Sequence, residues 1–147
     1  MKLVHNVVIT VFSSDDADAC KKTLAPFVPF SLEEEKLEVQ EQKAEGFQDR
    51  KIIILSLKLV KARHTNAFLK ELKEHLSPES CRLLLQQIES RLDERLNFFI
   101  RFDKQELLSG RFMLTDGGDC FHIKMSIAAF PHKRPIAKNI IKEWLTR

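Results

Sequence analysis

The sequence predicts one α+β domain spanning residues 1–147, with a mostly antiparallel sheet covered by helices on one face. Three observations carry that expectation. Two stretches in the last third alternate: Leu96, Phe98, Ile100 and Phe102 against Asn97, Phe99, Arg101 and Asp103, then Phe121, Ile123, Met125 and Ile127 against His122, Lys124, Ser126 and Ala128. Successive side chains of a strand point to opposite faces, so each stretch packs one row and shows the other. The run Asp116-Gly117-Gly118-Asp119 is a turn signal, because glycine tolerates positive φ. Between the strand-like stretches, apolar residues recur at helical spacing.

From the start, residues 4–12 are rich in β-branched side chains and read as a strand. Ser13 and Ser14 supply a cap, and Asp15, Asp16 and Asp18 favour the positive end of a helix dipole. That helix runs to about Leu24 and stops at Pro26. Capping accounts for the aspartates better than a divalent-metal site does. Residues 27–35 form a connection, extended at Pro29. Residues 36–43 alternate weakly and suit an edge strand, whose polar side chains discourage pairing with other chains. Residues 44–50 read as a turn around Gly46.

Residues 51–60 are the strongest strand of the first half. The unbroken run Ile52, Ile53, Ile54 and Leu55 suggests burial on both faces. Lys58 falls on the face opposite Leu57 and Leu59. Two helices follow. Residues 65–76 place Phe68, Leu69, Leu72 and Leu76 on one stripe. Ser77 caps the next, with Pro78 at its first position and Cys81, Leu84, Leu85, Ile88 and Leu92 as its stripe. The last third then reads as strand 96–103, link 104–110, a hairpin of 111–115 with 120–130, and a closing helix 135–145. Ile136, Ile140, Ile141 and Trp144 form that helix's apolar stripe. Arg134, Lys138 and Lys142, spaced by four, form a basic stripe on another face.

Composition narrows the function. At 147 residues the chain is long enough to bury a real core. No apolar run approaches the roughly 20 residues of a membrane span, so no membrane partner is expected. The start lacks a signal-peptide cleavage site, and the expected location is the cytoplasm. Cys20, Cys81 and Cys120 have neither metal-ligand nor redox spacing and read as free buried thiols. Charge is uneven: residues 1–60 hold 8 Lys/Arg against 10 Asp/Glu, and residues 61–147 hold 16 against 11. A basic second half fits a polyanionic partner.

Enzyme motifs are absent: there is no phosphate loop, no dinucleotide fingerprint and no zinc-protease helix. A metal-dependent nuclease would need clustered carboxylates, and only Asp103, Asp116 and Asp119 lie near the basic strands. No cofactor and no metal site is expected. Lys58, Arg101, His122 and Lys124 all fall on strand faces opposite apolar rows. If the strands are neighbours, these groups share one surface with Phe99, where cations neutralise phosphates and the ring stacks a base. His132, Lys133 and Arg134 would extend it.

The segments Arg101-Phe102-Asp103-Lys104-Gln105, Gly110-Arg111-Phe112-Met113-Leu114-Thr115-Asp116 and Ala128-Ala129-Phe130-Pro131-His132-Lys133-Arg134 resemble an archaeal family of small proteins. That family is described as predicted exosome subunits or RNA-binding proteins. Its pattern is an R-x-D-K-Q strand, a G-x-[LF]-x-L-x-D hairpin and an A-Y-P-x-K-R turn, with Phe130 here in place of the tyrosine. Its E-G-H-Y-G-N-P turn is Glu45-Gly46-Phe47-Gln48-Asp49-Arg50 in this chain. The resemblance implies an α+β fold similar to a large-subunit ribosomal protein, RNA as a partner, and exosome subunits as further partners.

The combined expectation is a non-catalytic RNA-binding accessory protein in RNA processing or degradation. Arg101, Lys104, Lys124, Lys133 and Arg134 are its expected phosphate contacts, with Lys58, Phe99 and His122 beside them. The alternative is a structural or assembly protein that uses the open sheet face as a homodimer or protein-partner interface.

Overall fold

The computed structural model describes residues 2–45 and 51–147. The elements in order are β1 (Val4–Ser13), α1 (Ala17–Leu24), β2 (Gln40–Glu45), β3 (Lys51–Leu59), α2 (Ala62–His75), α3 (Pro78–Gln86), α4 (Ile88–Arg91), β4 (Asn97–Asp103), α5 (Lys104–Leu108), β5 (Cys120–Ile127) and α6 (Arg134–Thr146). The strands form one five-stranded sheet in the order β2-β3-β1-β5-β4. Every neighbouring pair is antiparallel. The α+β architecture with helices on one face is the expected one. The turn anticipated around Gly46 falls, for residues 46–50, outside the described residues.

Alternation sets which face is which. Val7, Ile9 and Val11 of β1, Leu55, Leu57 and Leu59 of β3, Phe98, Ile100 and Phe102 of β4, and Phe121 and Ile123 of β5 are wholly buried under the helices. Phe27, in a single 3-10 turn after α1, centres the aromatic part of this core. Its ring lies 6.2 Å from Phe68, 6.4 Å from Phe102 and 6.2 Å from Phe121, centroid to centroid, and 5.7 Å edge-on to Phe112. On the helical side, the Trp144 indole N–H donates to Leu69 O at 3.1 Å and ties α6 to α2.

Several expectations are corrected. The run at 52–55 does not mark a strand buried on both faces: Leu55 is buried, but Ile52 and Ile54 are partly exposed. An antiparallel sheet can leave one face to solvent, and this one does. The stretch 111–115 does not form a hairpin with β5, because β1 and β4 already occupy both edges of that strand. Residues 113–115 instead lie along the outer edge of β4, with the Asp103 N–H donating to Met113 O (2.8 Å) and the Thr115 N–H to Arg101 O (3.0 Å). The helix expected from Ser77 through Leu92 breaks at Gln87 (φ −104, ψ 13) into α3 and α4. Ser77 does cap it, its hydroxyl accepting from the Ser80 N–H.

The link at 104–110 contains α5, capped by Asp103, whose carboxylate accepts from the Glu106 N–H at 3.0 Å. Helix formation at that point turns Lys104 inward, so the side chain expected to meet phosphate is buried. Its ammonium donates to Phe12 O at 2.8 Å and lies 3.1 Å from an Asp16 carboxylate oxygen. The pair clamps the β1–α1 junction to the β4–α5 junction. Burial works against the charged Asp16 carboxylate. The hydrogen bond from Ser13 and the Lys104 ammonium together outweigh it and hold the carboxyl below its ordinary range.

Removing one partner strands the other, at a cost that approaches 3–5 kcal/mol for a fully buried pair. Lys104→Met is therefore expected to lower stability by about 2–4 kcal/mol in urea unfolding, while leaving the outer sheet face intact. Because the folded Asp16 pKa lies below its unfolded value, the contribution is complete above the ordinary value of 3.8 and lost as pH falls through the folded one. The wild-type acid limb should accordingly be steeper than that of Lys104→Met in pH-dependent unfolding.

Candidate nucleic-acid interface

Strand register decides which polar side chains meet on the face away from the helices. Val8 of β1 stands opposite Lys58 of β3 on one side and Lys124 of β5 on the other, and Lys124 stands opposite Phe99 of β4. In the next row, Thr10 pairs with Ser56 and His122, and His122 pairs with Arg101. Adjacent strands are about 4.8 Å apart, so Lys58 and Lys124 project on either side of Val8, about 10 Å from each other. The structure thus brings Lys58, Phe99, Arg101, His122 and Lys124 onto one face. All five are partly or fully exposed. The α3–α4 segment borders Phe99, Arg101 and His122 at the β4 edge.

The Phe99 and His122 rings are diagonal neighbours, 5.3 Å apart between centroids. Burial lowers the His122 pKa most, and the positive charges of Arg101 and Lys124 lower it further. Lys124 also contributes to holding the Asp93 carboxyl down, after the hydrogen bonds from Asn97 and Arg95 that overcome its burial.

Beyond β4 the face ends in a recess of about 420 Å³. Phe99, Arg101 and His122 form its sheet side, Gln87, Ser90 and Arg91 come from the α3–α4 break, and Asp116 from the loop before β5. Arg91 is fixed in place: its Nε donates to Gln87 Oε1 at 2.8 Å and its Nη1 to Phe99 O at 3.3 Å. Its Nη2 lies 3.8 Å from the Asp116 carboxylate, and burial pushes its pKa down. Arg101 donates from Nη1 to Asp116 O at 3.4 Å. Arg91 is a residue that sequence reasoning missed. The only signal for it is its place at the end of a helix predicted to turn into β4.

The remaining expected contacts lie elsewhere. Lys104 is interior. Arg134 donates to Leu92 O (2.9 Å) and Glu89 O (2.8 Å) and pairs with the Glu89 carboxylate. Lys138 pairs with the same carboxylate. The hydrogen bonds from Lys138 and Arg134 pull the Glu89 pKa down. Arg134 and Lys138 of the basic stripe thus share one carboxylate, and Arg134 braces the end of α4. Lys133 and His132 are exposed, beyond the end of β5 that is remote from Arg101. Phe130 beside them is 95% exposed. Asp103 is a helix cap and Asp119 lies 3.9 Å from the Lys104 ammonium. Among the described residues no three His, Cys, Asp or Glu are placed to hold a metal.

Against known proteins, a family model described as RNA binding matches residues 6–127. An RNA-binding protein of Pyrococcus abyssi is 28% identical over 143 residues, covering 96% of this chain and 93% of its own length. A protein of Archaeglobus fulgidus superposes with a TM-score of 0.84 at 26% identity, covering 96% of this chain and 99% of its own. A DUF54 protein of Methanothermobacter thermautotrophicus superposes with a TM-score of 0.78 at 25% identity, covering 98% and 99%. The descriptions that name an activity name RNA binding.

The geometry of the His122 row is open to direct measurement. Arg101→Ala removes a neighbouring charge and part of the covering side chain, both of which depress the imidazole. The His122 pKa should rise in an NMR titration, and Lys124→Ala should raise it less. An unmoved pKa in both variants means that the three groups do not share a surface.

Proposed function

This chain belongs to the RNA-binding family whose model spans residues 6–127, and from that premise we propose that it binds RNA on the uncovered face of its sheet. The observation that carries the reading is the strand register. It sets Lys58, Lys124 and Arg101, from three different strands, on one side of the sheet, with Phe99 and His122 between them. Ammonium and guanidinium groups there neutralise backbone phosphates, and the rings offer a sequence-tolerant stacking surface. Lys133 and His132 lengthen the track past the end of β5. Lys104 and Arg134 act within the fold and are not contacts. The role fits an accessory RNA-binding protein in RNA processing or degradation, with exosome subunits as candidate partners through the family resemblance.

A second reading rests on the other half of the same face. Phe12 is 54% exposed, and Ile54, its cross-strand partner, and Ile52 next on the same face are partly so. The face therefore has an apolar patch around Phe12 and Ile54, at the end of β1 and β3 away from the row that holds Lys58 and Lys124. The apolar patch suits a second copy or a protein partner. Light scattering separates the readings: a stable dimer that Phe12→Ser disrupts favours the second, and a monomer with salt-sensitive RNA affinity favours the first.

If the face holds RNA, the triple variant Lys58→Ala, Arg101→Ala, Lys124→Ala weakens binding to any sequence. It also reduces the slope of log affinity against log salt by about 0.7 for each single-strand phosphate that is no longer neutralised. Filter binding across a salt series reads both. Arg134→Ala should instead lower thermal stability and leave the slope unchanged. Full affinity in the triple variant removes this face as the binding surface.

A further inference from the structure

Resting on the RNA-binding reading above, we propose that the recess bounded by Arg91, Phe99, Arg101 and His122 receives one unstacked nucleotide of single-stranded RNA. A recess of about 420 Å³ is in the range of small-ligand sites, about 300–1,000 Å³. It is concave and lies at the rim of the sheet, so a base inside a duplex, paired and stacked on both sides, cannot enter it. A base splayed from a single strand can, and single strands are where proteins read RNA through aromatic and guanidinium planes.

The groups divide the work. Phe99 and His122, 5.3 Å apart, present ring surface at the sheet side. Arg91 is held by Gln87 and by the Phe99 carbonyl, so its guanidinium forms a preorganised wall rather than a mobile arm. Because the Gln87 carbonyl oxygen accepts from Arg91 Nε, its amide N–H groups are left for a base edge. Among the described residues Arg101 donates only from Nη1, to Asp116 O, and its other N–H groups face the recess mouth for a phosphate. The Asp116 carboxylate, 95% exposed, repels phosphate from the loop side. It therefore orients the nucleotide with its phosphate toward Arg101 and Lys124. The recess thus distinguishes an unstacked nucleotide from a bare anion, which would meet the carboxylate with nothing to stack.

The test uses the full chain and an end-labelled single-stranded oligonucleotide, compared with a blunt duplex of the same sequence by fluorescence anisotropy. Two variants address the recess. Ser90→Trp fills it from an exposed position of α4, and Phe99→Ala removes the stacking ring. Each is expected to weaken single-strand binding roughly 5- to 150-fold, the range of one base–aromatic stack, and to change duplex binding little. If Ser90→Trp leaves single-strand affinity unchanged while the Lys58, Arg101 and Lys124 triple variant still loses it, the recess is not a nucleotide site and the sheet-face reading stands. If the wild-type chain binds neither strand form, the RNA reading fails and takes this inference with it. Unfolding curves for Ser90→Trp that match wild type tie its effect to the recess rather than to folding.

Discussion

Everything on the outer face follows from a one-sided sheet. Four of the five antiparallel strands place apolar rows under the helices, and the wholly buried side chains of β1, β3, β4 and β5 all point that way. Since strand side chains alternate, whatever occupies the odd register on one strand is committed to the opposite side along its whole length. A slip of one residue between β4 and β5 would send Phe98, Ile100 and Phe102 into solvent and Arg101 into the core. Burial of the apolar row therefore fixes the position of the cations to within a rotamer, although no cation takes part in that burial.

The same packing explains why basic residues close in sequence have different fates. Arg101 and Lys104 are three positions apart, yet one sits on the open face and the other inside the fold. The strand ends at Asp103, the helix cap turns the chain, and the next long side chain points back to Phe12 and Asp16. A lysine in that place needs its partners, since an ammonium without them carries a large desolvation penalty. Arg134 shows the surface version: its planar fork reaches two backbone carbonyls and a carboxylate at the end of α4, a geometry a lysine could not reproduce. Both are structural cations within segments that resemble a nucleic-acid-binding family. A motif that is basic in composition is thus partly a folding motif.

The open face is not uniform. Its β5–β4 half combines cations with two rings, and the packing that brings Phe99 beside His122 keeps the imidazole pKa low, first by burial and then by the charges of Arg101 and Lys124. Its β3–β1 half carries Lys58 at one end and Ile52, Ile54 and Phe12 at the other, with the polar strand β2 at the rim. The overall charge of +3 fits this division, because a modest total leaves room for one positive patch without making the whole surface a polyanion binder.

The sequence by itself determined the fold class, the strands with strict alternation, and that Lys58, Arg101, His122 and Lys124 fall opposite apolar rows; that they meet on one surface with Phe99 was decided by strand order. Period-two patterning is a local property, readable without knowing any neighbour. It did not determine strand order, the two faces of β3, or the path of 113–115 along β4, because these depend on which edges other strands already occupy. Nor did it determine that Lys104 and Arg134 are structural while Arg91 walls a recess. A charged side chain's role is set by the groups that surround it in space. For Lys104 those groups come from residues 88 and 92 positions away in the chain, and for Arg134 from 45.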